Sequence, residues 1–311
     1  MHSPPLQAAR LVRSPEALAD WLRAADVAGR KQAAISNLDR AITLTPGDWT
    51  LYALRAELVD PTRAVADEDE AIRLGAESTV IVQMIKRAAP RAKQPADWAR
   101  VAALLAAAAK DPALPAEDRY HLAVACLKAG DRAGYKAACA GIAGRMPPAG
   151  TPLLLGDAIA AANAFALGAG ATEDWSVPLS WADRVLTRLA EREAADPSQK
   201  ERNKPLRRHF LHVRGALLYR AGRFEEAGRT LREAMNLPPF NSGGEFANWV
   251  FLALAEYRLG HADAAKEAAA RARTAEPKPN GAWEKAEVEL LAAELDAAMP
   301  REIAPPPRVK R

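Results

Sequence analysis

The chain has 311 residues, 49% hydrophobic, 26% charged and only 6% aromatic, enough for one large core or for several small repeat units in series. Its 43 basic and 39 acidic residues leave a formal charge of +4 spread along the chain, which gives only weak support to nucleic acid or an anionic membrane as a partner. No apolar run is long enough to span a bilayer, the N-terminus lacks the basic-then-apolar order of a secretory signal, and the two cysteines make no disulfide framework, so the expected compartment is the cytoplasm.

Residues 1–13 contain prolines and no clear period and are expected to be a loose lead-in. Ser14-Pro-Glu is a good helix start: Ser caps, Pro sits in the first turn and Glu favours the helix dipole. A first helix is expected from Glu16 to Ala28, ended by Gly29, and a second from Lys31 to Leu44, stopped by Pro46. The next unit is shorter, with helices at Trp49–Val59 and Thr62–Leu74. Glu68 stands there where Leu38 stands in the unit before, so distortion is expected. A third pair covers Thr79–Ala89 and Pro95–Lys110, and a fourth covers Ala116–Gly144, turning at Gly130-Asp131.

Met146-Pro-Pro-Ala-Gly-Thr-Pro then breaks the pattern. Beyond it, Leu153–Leu167 reads as a helix, Gly168–Pro178 as a loop, Leu179–Ala195 as a charged helix and Asp196–Pro205 as a polar connector. Any hinge is expected between 144 and 205. From Leu211 to Pro277 the regular layout returns twice at a spacing of 38 residues: Gly222 maps to Gly260, Ala227 to Ala265, Ala234 to Ala272, Pro239 to Pro277, and Tyr219-Arg220 to Tyr257-Arg258. A helix–turn–helix unit repeating at this length marks a helical solenoid. Ala282–Met299 is expected to be a final amphipathic helix closing its open end, and Arg301–Arg311, with three prolines and basic residues, a disordered tail. The expected organisation is a lead-in at 1–13, an N-terminal array at 14–144, an irregular helical connector at 145–205, C-terminal repeats with a capping helix at 206–299, and a tail at 300–311.

The residues now carry a family resemblance. Small residues recur at Ala34, Ala41, Ala64, Ala71, Gly215, Ala227, Ala234, Ala253, Ala265 and Ala272, positions that the resemblance named next implies are helix crossings. Bulky ones fill between them (Trp21, Leu38, Phe224, Leu231 and Trp249), and a proline follows the second helix (Pro46, Pro239 and Pro277). This resembles tetratricopeptide repeats over 15–46 and 208–277, and less closely over 116–144. The phrasing Tyr219-Arg-Ala-Gly-Arg-Phe-Glu-Glu-Ala is similar to the repeat tails that follow protein-kinase or β-propeller domains in some large bacterial proteins, but the sequence carries no glycine-rich phosphate loop, His-Arg-Asp or Asp-Phe-Gly. The resemblance implies an all-α, right-handed superhelical solenoid of antiparallel helix pairs, about seven pairs plus a capping helix. It further implies first helices lining a concave face where peptides or partner domains bind, with no catalysis.

The candidate site is that face. Register places Tyr219, Arg220, Val250, Phe251, Leu254, Tyr257 and Arg258 toward the concave side or its rim, with His212 and Lys128 at comparable positions. Aromatic and Arg side chains are the usual interface anchors, and the Tyr-Arg pairs have the donors to hold an acidic or C-terminal peptide. The competing reading packs the tyrosines between repeats and solvates the arginines; it is preferred for the pair as an anion site, whereas binding is preferred for the face as a whole. The Lys/Asn constellation of chaperone-binding repeats is not visible. Cys126 and Cys139 are expected to face each other as small core residues rather than as a redox pair. His209 and His212 lack the further ligands a metal site needs, Asp67-Glu-Asp-Glu70 lacks the spacing of a calcium loop, and no catalytic arrangement is visible. No cofactor is expected. The expected partner is a protein or peptide; the alternative is a nucleic-acid-binding repeat protein using basic patches such as Lys200–His209.

Overall fold

The computed structural model describes residues 31–148, 151, 153–238 and 244–300. Among the described residues there are 14 α-helices, a 3-10 turn at Ala89–Arg91 and no strand. The helices expected before residue 31, the proline at 239 and the tail after 300 lie outside them. The described residues fall into two compact units, 31–88 with 103–114 and 89–102 with 115–300. The division falls inside the fifth helix.

The first unit holds α1 (Lys31–Leu44), α2 (Trp49–Leu58), α3 (Pro61–Arg73), α4 (Ser78–Ala88) and the later part of α5 (Pro95–Ala108). Asp48 and Asp60 start their helices by accepting from exposed backbone amides, Thr50 at 3.0 Å, and Thr62 and Arg63 at 3.1 Å each. Ile35, Leu38 and Ala41 pack on Leu51, Leu54 and Leu58. At Glu68, charge takes the place of the missing apolar knob. Arg55 grips buried Asp67 with two hydrogen bonds, at 2.9 and 2.6 Å, and reaches Asp39 at 2.6 Å. Arg87 bonds Glu57 and, at 3.2 Å, Glu68. Arg55 and Arg87 therefore knit α1 to α4.

The second unit holds α6 (Ala116–Ala129), α7 (Arg132–Ala143), α8 (Leu155–Leu167), α9 (Ser176–Ala195), α10 (Gln199–Arg220), α11 (Phe224–Met235), α12 (Gly244–Arg258), α13 (Ala262–Thr274) and α14 (Ala282–Ala298). Consecutive helices form hairpins, and the first helices α6, α8, α10 and α12 touch one another in a row. Three hairpin turns share one design. Gly130, Gly222 and Gly260 take φ of +77°, +77° and +81°, and the following amide of Asp131, Arg223 or His261 reaches back to the carbonyl of Cys126, Leu218 or Glu256. This double-bonded left-handed ending satisfies carbonyls the helix leaves open. The helix crossing is as tight as the small residues suggest: a Cβ on Gly215 would stand 2.6 Å from Leu231 Cγ, and Ala227, Ala234, Ala265 and Ala272 are fully buried.

The stretch from 145 to 205 is more regular than its sequence suggests. α8 and α9 pair as the other hairpins do. Pro178, read as loop, is the third residue of α9, where the helix has no amide to lose. The run Asp196–Pro205, read as connector, mostly builds the start of α10, with Pro205 inside the helix. Asp196 opens that segment by accepting from Ser198 N at 3.0 Å.

Candidate functional site

The first-helix face is built around the end of α8. That helix stops at Leu167 without a left-handed glycine, since Gly168 is extended at φ −143°. Its last carbonyls take side-chain donors instead. The Tyr135 hydroxyl, fully buried, donates to Ala164 O at 2.8 Å and accepts from Gly168 N at 3.0 Å. Arg220 donates from Nε to Ala166 O at 2.8 Å and from Nη2 to Leu167 O at 3.0 Å. A guanidinium at a helix C-terminus also meets the negative end of the dipole. Arg220 lies over the rings of Tyr219 and Phe251, 5.4 and 5.2 Å from their centroids.

The rest of Arg220 is covered by the last helix. Its Nη2 bonds Glu294 Oε2 at 2.7 Å, and the side chain is only 2% exposed. α14 lies across α6, α8 and α12. Lys128, at the end of α6, bonds Glu289 at 2.6 Å and lies 5.9 Å above the Trp98 ring. Trp283 stacks on His121 at 4.1 Å and meets Trp98 edge-on at 5.6 Å. Glu287 bonds the Tyr120 hydroxyl; burial, with the charge of Glu284 adding, pushes its carboxyl up to about 7 against the opposing effect of that bond. Burial holds His121 down at about 4. Beyond α12, Arg273 of α13 reaches Asp296 at 3.0 Å. The final helix stands where the sequence places it, but it covers the very face on which the binding residues were expected.

The nine expected site residues accordingly divide. Val250, Phe251 and Leu254 are core residues of α12, at most 2% exposed. His212 faces Asn248 at 3.2 Å, and burial lowers its basicity to about 4. Arg220 and Lys128 point to the face but hold α14. Tyr219 is half-buried against Phe224 and Phe251. Tyr257 and Arg258 remain exposed, with Arg258 over the Phe224 ring at 4.7 Å. Helix packing turns the three apolar members inward, a point that register along one helix does not fix. The repeated Tyr-Arg pairs are not equivalent: Arg220 caps the end of α8, whereas Arg258 lies over the Phe224 ring.

The remaining candidates resolve into structure. Cys126 and Cys139 are buried free thiols raised by burial to about 11 and about 12, which leaves them protonated and unreactive. The acidic run on α3 finds arginines: Asp67 takes Arg55, Glu68 takes Arg87 and Glu70 takes Arg73. In the basic run, Lys204 pairs with Glu201 at 2.7 Å, Arg207 with Glu193 at 2.8 Å, and Arg208 donates to Leu237 O. Among the described residues no group of three His, Cys, Asp or Glu could hold a metal, and no helix is long and apolar enough to cross a membrane. Trp98, Tyr120, His121 and one stripe of α14 join the site although no repeat position marks them. A signal was present: Trp283, Ala286, Glu287, Leu291, Glu294 and Leu295 share one helical face.

These features define an all-α protein of stacked helical hairpins. No family model and no curated protein matches the chain. Among solved structures it is similar to the crystal structure of yeast Tom70, with 14% identity and a TM-score of 0.32, over 87% of this chain and 59% of that one. The chain thus spans less than two thirds of Tom70, and a superposition this loose adds nothing to the packing argument.

Proposed function

We propose that the protein is a non-catalytic interaction scaffold of the tetratricopeptide kind, working in the cytoplasm and binding a peptide or partner domain on its first-helix face. The observation that carries this reading is that the face already holds a protein segment, α14, through two fixed cations, Lys128 and Arg220. Aromatic and Arg anchors of this type are what interfaces use. Burial raises the Cys126 and Cys139 thiols, the opposite of what activates a nucleophile, which favours binding over catalysis. Pairing of Lys204, Arg207 and Arg208 within the chain disfavours the nucleic-acid alternative. Affinity capture from lysate of the source cell tests the reading when run beside a Lys128→Ala/Tyr257→Ala/Arg258→Ala variant. A protein partner lost in the variant is the expected result, and equal retention of every partner contradicts it.

A further inference from the structure

We propose that α14 is a ligand in cis, holding the place of an acidic amphipathic helix of a partner protein that docks on the same face once α14 is released. This rests on the scaffold reading and adds the chemistry of the partner and the control of access.

The receptor is preorganised. Arg220 is fixed by the Ala166 and Leu167 carbonyls, which belong to α8 and stay when α14 leaves. Release therefore uncovers an oriented guanidinium whose freed edge is placed to take a carboxylate through paired, charge-assisted hydrogen bonds. Lys128 presents a second cation, and Trp98 with His121 an aromatic shelf for a ring. The matching ligand carries an aromatic residue at its start, carboxylates six and eleven residues on, and leucines between and beside them, as Trp283, Glu289, Glu294, Leu291 and Leu295 do.

The apolar footing of the occupant is narrow, and much of its hold is polar. Of its 17 residues only Ala286, Leu291 and Leu295 are buried, whereas α12 buries Phe246 and every residue from Val250 to Ala255. A cavity of about 110 Å³ remains under it, lined by Tyr120, Asn163, His209, Phe246, Glu287 and Leu291. Glu287 adds a carboxylate in that contact. The segment Ala275–Gly281 that leads to α14 forms no helix and contains Pro277 and Pro279. A short tether keeps a cis segment at an effective concentration on the order of millimolar, so even a weak contact blocks the face until a better ligand competes.

The test uses the full chain and a labelled peptide with the α14 sequence, Asn280–Met299, read by fluorescence anisotropy. The released variant is Leu291→Lys/Leu295→Lys, and Glu294→Gln is a milder second variant that keeps the apolar footing. The released variant is expected to bind the peptide with an apparent Kd at least roughly 100-fold below that of the unaltered chain, with Glu294→Gln between them. A peptide in which Glu289 and Glu294 are Gln should bind the released variant roughly tenfold more weakly. Equal binding to all three proteins overturns the proposal, as does absence of binding to both the released and the milder variant. Dimers of the unaltered chain that disappear on release would make a second copy's α14 the occupant and likewise overturn it. A lysate partner retained while the peptide fails to bind removes the cis-ligand proposal and leaves a scaffold with another surface. Peptide binding without any protein partner leaves the cis-ligand and removes the scaffold.

Discussion

Glu287 gives α14 docking a pH dependence whose sign is fixed. Its carboxyl stands at about 7 when docked against an ordinary 4.5, so the docked state holds the extra proton between those values. Its contribution is complete below about 4.5 and is lost as pH rises through 7. His121, held at about 4 against 6.5, works oppositely, contributing above 6.5 and losing that contribution as pH falls through 4. The slopes oppose each other in between, and Glu287→Gln isolates one of them. At pH 8 the variant should be more stable than the unaltered chain by up to about 3 kcal/mol, with the advantage shrinking toward pH 5. Urea unfolding at the two pH values checks this, and equal stability of the two proteins at pH 8 contradicts it. Glycine gives a second residue-scale prediction. Gly222→Ala or Gly260→Ala places a side chain at positive φ and should cost roughly 1–2 kcal/mol. Gly141→Ala, exposed inside α7 with nothing within 4 Å of the new Cβ, should instead stabilise by roughly 0.5–1 kcal/mol. Thermal unfolding that moves the same way in all of them would show that backbone conformation is not what these glycines serve.

At the scale of elements, the parts legible in the sequence are those made by neighbours. Gly222 and Gly260 announce their turns, and the spacing of Gly215, Ala227, Leu231 and Ala234 announces the helix crossing, because both depend on residues within one hairpin. Ala227→Trp should overpack that crossing and lower stability by roughly 1–3 kcal/mol, visible as a lower urea midpoint; an unchanged midpoint would place Ala227 on another face. What the sequence hid are pairings across long separations. Arg220 meets Glu294 across 74 positions and Lys128 meets Glu289 across 161, and such contacts leave no period to read. Glu68 shows the same limit: it breaks the apolar pattern of α3, and only the packing of α4 reveals the arginine that answers it. Arg55→Met should cost about 3–5 kcal/mol by leaving buried Asp67 unpaired. Calorimetric unfolding checks this, and a loss below 1 kcal/mol, the range of an exposed pair, would contradict a structural role.

At the scale of the whole molecule, the helices differ in how much apolar surface holds them. Repeats stabilise through their neighbours, so α10 to α13 should open together as one cooperative block. α14 has a thinner apolar footing and a half-buried carboxylate at Glu287, and it should open on its own. Hydrogen exchange of the unaltered full chain, followed by mass spectrometry, measures this most directly. The account predicts that amides of Ala282–Ala298 exchange well before those of Gly244–Arg258, and that added α14 peptide leaves Gly244–Arg258 protected while speeding exchange in the chain's own α14. Exchange of α14 in step with α12, unaffected by the peptide, would make it a permanent part of the core and contradict the account.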